Sequence, residues 1–209
     1  MKITRIQAIT AAAASLPGVI LAIQLFAGDL SANPIQASTI RTGRSALYLL
    51  FASLYCRPLF NFLGLSMFLQ IRKTTGLFAF YYALIHFLIF SALDYQLNFS
   101  WILPELEQKP FLQIGLAALV LLIPLAITSN RSIKKSMGKW WGRIHKFVYL
   151  IGAMVVIHIA LASKGDIIRP AVLISIFILA LLWRIPPLKD LHVSRLPKWA
   201  YDLNAVLIQ

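Results

Sequence analysis

Two uncharged stretches limit what this chain can become. Gly76 to Leu93, GLFAFYYALIHFLIFSAL, runs eighteen residues without a charge and carries His86 at its centre. Phe147 to Ser163, FVYLIGAMVVIHIALAS, is equally free of charge and carries His158 in a similar place. A membrane-spanning helix needs ~20 predominantly apolar residues, within a range of ~17–25. The two stretches therefore read as spanning helices, each bringing one imidazole to the middle of a bilayer.

The rest of the chain agrees. Of its 209 residues 59% are hydrophobic and 13% charged, with the apolar residues gathered into several long runs, the signature of a multi-span membrane protein. That length predicts an all-α integral membrane bundle of about six transmembrane helices, one domain over residues 1–209, with no room for a soluble catalytic domain. The net charge of +13 would suggest nucleic-acid binding in a soluble protein. Here the positive residues fall between the apolar runs, so they point to membrane orientation and contact with lipid, and nucleic acid is not expected. The single cysteine, Cys56, excludes an intramolecular disulfide, a Cys-x-x-Cys-His attachment site and a four-cysteine iron–sulfur centre within this chain.

The helices are expected near residues 6–28, 45–60, 76–93, 111–128, 147–163 and 170–185. The first apolar run is too long for a signal-peptide core of ~7–15 residues, and Pro17-Gly18 reads as a tolerated kink. The second helix is the weakest span, because only twelve uncharged residues precede Arg57-Pro58. Residues 59–71 are expected in or near the interface. The acidic loop from Asp94 to Pro110 holds Tyr95 and Trp101, suited to an interfacial aromatic belt. Pro186-Pro187 stops the sixth helix, Arg184 is expected to snorkel, and residues 188–209 read as a cytoplasmic tail. No internal repeat or low-complexity segment is evident.

Orientation follows from the basic residues. With the N-terminus inside, the inner segments hold Lys2, Arg5, Arg57, Arg72, Lys73, Arg131, Lys134, Lys135, Lys139, Arg143, Lys146, Arg184, Lys189, Arg195 and Lys198. The outer loops hold Arg41, Arg44, Lys109, Lys164 and Arg169. The positive-inside rule then predicts that both termini are cytoplasmic.

This topology gives the histidines a depth. His86 lies ten residues past Gly76 and His158 eleven past Phe147, which is ~15 and ~16 Å at 1.5 Å per residue. Their helices run in the same direction, so the two rings are expected at one level, a little past the midplane of a ~30 Å core. Intramembrane ionisable residues are functional candidates by default, and neutral imidazole is a good ligand for haem iron. Two readings stand at this point: a pair of axial haem ligands, or two polar residues hydrogen-bonding between helices. His145 lies thirteen residues before His158, and on a straight helix ~100° per residue would leave the two rings ~140° apart. It sits beside Arg143 and Lys146, where an interfacial role competes with ligation. His192 reads as a surface residue, and Trp140-Trp141 as an interfacial anchor.

The segments TGRSAL (Thr42 to Leu47), RKTTGLFAFYYALIHF (Arg72 to Phe87) and TSNRSIKKSMGKWWGRIHKFVYL (Thr128 to Leu150), followed by His158, resemble the MsrQ (YedZ) family. These are the haem-binding membrane subunits of bacterial periplasmic methionine-sulfoxide reductase systems. The chain is more distantly similar to the transmembrane domain of ferric reductases and NADPH oxidases. The resemblance implies a bacterial inner-membrane, multi-pass electron-transfer subunit with b-type haem ligated by His86 and His158. It also implies a periplasmic molybdopterin enzyme as electron acceptor. In the wider superfamily two histidines on each of two helices hold two stacked haems, and His145 matches the inner position of one helix. The inner position of the other, fourteen residues before His86, is Arg72. The resemblance thus implies one haem, and leaves a second at His145 without its partner. With no G-x-G-x-x-G nucleotide fingerprint in the sequence, electrons are expected from a separate flavin reductase or from quinol, with bound FMN or quinone as further cofactors of the family. Two other functions are weighed: a stand-alone ferric or quinone reductase on the same scaffold, and a small proton-coupled transporter in which the histidines relay protons.

Overall fold

The structure, a computed structural model, describes residues 4–163 and 165–184. The expected cytoplasmic tail with His192, the Pro186-Pro187 stop, Lys2 and Lys164 lie outside the described residues.

The described residues form helices joined by short turns, without a strand. Helix α1, Arg5–Ala27, starts at a capping box in which Thr4 and Gln7 satisfy each other's backbone N–H groups, and ends at Gly28 with a φ of 73°. Helix α2, Pro34–Leu63, is capped by Asn33 with Pro34 in its first turn. Helix α3, Met67–Leu88, runs on through a π-helical turn, Ile89–Asp94. Helix α4, Phe99–Gln108, lies in the acidic loop. Helix α5, Pro110–Ile127, is followed by short helices α6, Arg131–Met137, and α7, Lys139–Ile144. Helices α8, Phe147–Ala162, and α9, Ile168–Leu182, complete the order. Among the described residues five helical segments are long and apolar enough to cross a membrane, and α9 is a shorter apolar helix. The chain is an all-α integral membrane bundle.

Several elements differ from the sequence reading, and α4, α6 and α7 are short helices where connecting segments are expected. Helix α2 begins at Pro34 rather than near Ser45, and α3 begins at Met67 rather than at Gly76. Charged residues were taken as helix boundaries, but Arg41, Arg44, Arg57 and Arg72 all lie inside helices. What makes this possible at Pro58 is a specific partner. A helical proline lacks the N–H that would bond the carbonyl four residues back. For Pro58 that carbonyl belongs to Leu54, and Arg184 Nη2 donates to it at 2.8 Å. Arg184 also contacts the Tyr149 hydroxyl, so it bridges α2 and α8 instead of snorkelling.

In α1 a hydroxyl from a neighbouring helix enters next to Pro17. The Tyr82 hydroxyl accepts from Gly18 N–H at 2.8 Å and donates to the Ala14 carbonyl at 2.9 Å. It is thus inserted into the helical ladder beside Pro17, a known cause of kinking.

Packing places α2 along α3 and α5 along α8, with α1 against α2 and α3 and α9 against α8. One core cluster joins Leu50, Ala79, Ala118, Leu122 and Ile151, which is fully buried, at the meeting of α2, α3, α5 and α8. A second joins Leu47, Phe51, Leu54, Val156, Leu173 and Phe177 from α2, α8 and α9. The outward faces carry large apolar residues such as Ile9, Ile23 and Phe26 on α1 and Ile178 and Leu179 on α9. Contiguous exposure of this kind suits hydrocarbon rather than water.

Replacing Tyr82 by Phe removes the group inserted at Pro17. The expected cost is about 1–2 kcal/mol, seen as a lower midpoint for thermal loss of helicity in detergent, with the α1–α3 contact weakened first.

Candidate functional site

His86 occupies the last turn of α3, just before the π-helical turn, and His158 the last turns of α8. π-Helical turns inside longer helices frequently mark functional positions. The two rings face each other with centroids 6.3 Å apart and planes at 89°. The structure therefore brings together the two histidines placed at one depth by the sequence.

Each ring is held through one nitrogen. His86 Nδ1 lies 2.8 Å from the Thr39 carbonyl of α2, and His158 Nδ1 lies 2.6 Å from the Phe111 carbonyl of α5. A carbonyl only accepts, so Nδ1 of both rings carries the hydrogen and donates. Neutral imidazole then keeps its lone pair on Nε2, for which no hydrogen bond is made among the described residues. Partner and ring are 47 residues apart in both cases. Helices α2 and α3 thus present His86 as α5 and α8 present His158, a local structural repeat that the sequence reading did not find.

The arrangement fits two axial ligands on one iron. A metal–imidazole bond of ~2.0 Å on each side, plus ~1.1 Å from nitrogen to ring centre, gives ~6.2 Å between centroids, against 6.3 Å in the structure. Among the described residues no group of three His, Cys, Asp or Glu side chains lies together. Two imidazoles alone are too few for an ordinary non-haem metal site, whereas a porphyrin supplies the other four donors. Hydrogen bonding between helices, the other reading of these histidines, is also present, but it uses Nδ1 and leaves Nε2 free.

His145 is placed differently. Helix α7 ends at Ile144 and α8 begins at Phe147, so His145 sits in the turn between them and the ~140° expected of a straight helix does not apply. Its Nε2 lies 3.0 Å from Thr128 Oγ1, whose own hydroxyl donates to the Pro124 carbonyl at 2.6 Å. Thr128 therefore accepts, and Nε2 of His145 bears the hydrogen. Trp141 stacks on the His145 ring at 4.1 Å and donates to the Thr128 carbonyl at 2.9 Å. The positive charges of Arg72, on α3, and of Lys134 act on His145 electrostatically. Trp140 stays exposed with Arg143 over its ring, as an interfacial anchor would, while Trp141 is a structural partner of His145.

Sequence reasoning missed four participants: the backbone carbonyls of Thr39 and Phe111, and the glycines Gly43 and Gly115 that face the two rings. A backbone acceptor leaves no mark in residue type. The one signal was that each glycine stands the same number of residues before its histidine.

Residues 42–163 match the family model described as ferric reductase like transmembrane component. The chain is 38% identical over 158 residues to the "Protein-methionine-sulfoxide reductase heme-binding subunit MsrQ" of Brucella anthropi, covering 76% of this chain and 71% of that one. It is 36% identical over the same shares to the proteins of the same name from Brucella ovis and Brucella suis.

The hydrogen-bond pattern predicts the tautomers of the haem-free protein. Nitrogen-15 spectra of histidine-labelled samples, assigned with single-histidine variants, are expected to show Nδ1–H for His86 and His158 and Nε2–H for His145.

Proposed function

Since the chain belongs to the ferric reductase-like transmembrane family and, within it, to the MsrQ subunits, we propose that it is the haem-binding electron-transfer subunit of a protein-methionine-sulfoxide reductase system in a bacterial inner membrane. The observation that carries this is the facing pair of imidazoles with Nε2 free on both. His86 and His158 would hold the iron of one haem through these nitrogens. The lone cysteine leaves no thioether attachment motif, and the resemblance to the family implies that this haem is of the b type. Haem, when bound, supplies a one-electron carrier within the bilayer.

The chain's own residues do the rest. The Thr39 and Phe111 carbonyls fix each ring and its tautomer. Helices α2, α3, α5 and α8 pack around a dry core, which keeps water from the site and lowers the local dielectric. His145 is engaged by Thr128 and lies in the positive field of Arg72, which favours one haem over two. With both termini cytoplasmic, as the basic residues favour, the site lies toward the outer side of the membrane. A cytoplasmic flavin reductase or quinol would supply the electrons, and FMN or quinone, if bound, would supply an intermediate carrier. The electrons leave to a periplasmic molybdopterin sulfoxide reductase that repairs oxidised methionines.

Reduced-minus-oxidised spectra and a pyridine haemochrome titration of detergent-purified protein test this reading. Low-spin b-type bands are expected in wild type and in His145→Ala, with at least a tenfold loss of bound haem in His86→Ala and in His158→Ala. Wild-type protein made with ample haem but lacking a Soret band would overturn the proposal.

A further inference from the structure

Thr39 and Gly43 are four residues apart on α2, and Phe111 and Gly115 are four apart on α5. Residues at that spacing share one helix face, and each Cβ tilts toward the N-terminus. A side chain at the later position therefore overhangs the carbonyl at the earlier one. A ring that must reach that carbonyl from a neighbouring helix needs the overhang removed. Both later positions are glycine. A Cβ built on Gly43 would lie 3.0 Å from Cε1 and Nδ1 of His86. One built on Gly115 would lie 2.8 Å from Nδ1 and 2.9 Å from Cε1 of His158.

Most other glycines of the described residues do not share this pairing: Gly28, Gly138, Gly142 and Gly165 would meet nothing within 4 Å, Gly76 faces the Ser53 hydroxyl at 3.2 Å, and Gly152 faces the Phe177 ring at 2.4 Å. Gly18 repeats it with another side chain: its Cβ would lie 2.9 Å from the Tyr82 hydroxyl, which donates to the Ala14 carbonyl four residues earlier. The two glycines that face imidazoles face the two central ones, and each stands four residues after the carbonyl that the imidazole uses. A carbonyl has two lone pairs, so it accepts from the ring while remaining part of its own helix.

We propose that Gly43 and Gly115 are positioning residues for the two axial imidazoles: by uncovering the Thr39 and Phe111 carbonyls they fix the tautomer and orientation of each ring and so tune the redox potential of the bound haem. This rests on the functional reading above. A hydrogen bond from Nδ1 to an acceptor makes Nε2 more basic. A more basic ligand favours ferric over ferrous iron and keeps the potential low. An added methyl pushes the ring off its carbonyl and moves the potential upward. The closer approach at Gly115 makes it the more sensitive of the two.

The test compares Gly43→Ala and Gly115→Ala with two controls: Gly152→Ala, on the same helix as His158, which crowds Phe177 of α9, and Gly142→Ala, which is in open space. Equilibrium redox titration, haem content and thermal stability are measured for each. The proposal expects a positive shift in midpoint potential in both imidazole-facing variants, larger for Gly115→Ala. Gly152→Ala is expected to lower stability and leave the potential of the bound haem unchanged, and Gly142→Ala to change neither. Wild-type potentials in both imidazole-facing variants, or an equal shift in Gly152→Ala, would overturn it. If a variant does not fold, the nitrogen-15 signals of the wild-type protein decide: Nδ1–H groups without hydrogen bonds at His86 and His158 sink the idea. Those signals are read in the haem-free protein as well. A wild type without haem would therefore refute the functional reading, while the tautomers would still judge the carbonyl contact.

Discussion

A neutral imidazole in hydrocarbon has two polar nitrogens and no water to satisfy them. In this bundle each central histidine gives one nitrogen to a backbone carbonyl on a neighbouring helix and keeps the other. The contact at 2.8 Å for His86 and 2.6 Å for His158 decides which nitrogen remains, where it points and how basic it is. The facing geometry and its suitability for an iron between the rings both depend on it. So does the packing of α2 on α3 and of α5 on α8, because the carbonyl must be brought to the ring by a whole helix.

The same logic recurs at Pro58. Proline frees a carbonyl, and in a membrane that carbonyl needs a partner. Arg184 reaches the carbonyl that Pro58 leaves open. Elsewhere polar side chains join helices by other routes: the Tyr82 hydroxyl enters α1 between Gly18 N–H and the Ala14 carbonyl, and Thr128, whose hydroxyl donates to the Pro124 carbonyl of its own helix, accepts from His145. Each contact ties a helix to a neighbouring segment and cross-links the bundle. One of them also occupies His145, which couples the end of α5 to the question of haem number.

Much of this was legible in the chain. Uncharged length marked α1, α5, α8, α9 and the later part of α3, but not the short helices α4, α6 and α7, which lie in charged segments; matching depth pointed to the pairing of His86 with His158. The start of α2 was misjudged because Arg41, Arg44 and Arg57 read as boundaries, although a 30-residue helix extends beyond a ~30 Å core at its ends and carries charges there. The fate of Arg184 was hidden because its partner is a carbonyl freed by Pro58, a relation between residues 130 apart. The carbonyl–glycine contacts were hidden for the same reason. Apolar periodicity reports which faces are buried, but not which backbone groups a side chain reaches. The ~140° separation of His145 from His158 assumes one straight helix, which the turn at His145-Lys146 breaks.

The most direct measurement of the central claim is the low-temperature electron paramagnetic resonance spectrum of the ferric protein. Two imidazoles on one iron with planes near 89° leave its two upper-lying occupied π-type orbitals nearly degenerate. The account predicts a single low-spin signal of the highly anisotropic kind, abolished in His86→Ala and in His158→Ala. A high-spin signal in wild type, or a low-spin signal that survives loss of either histidine, would contradict it.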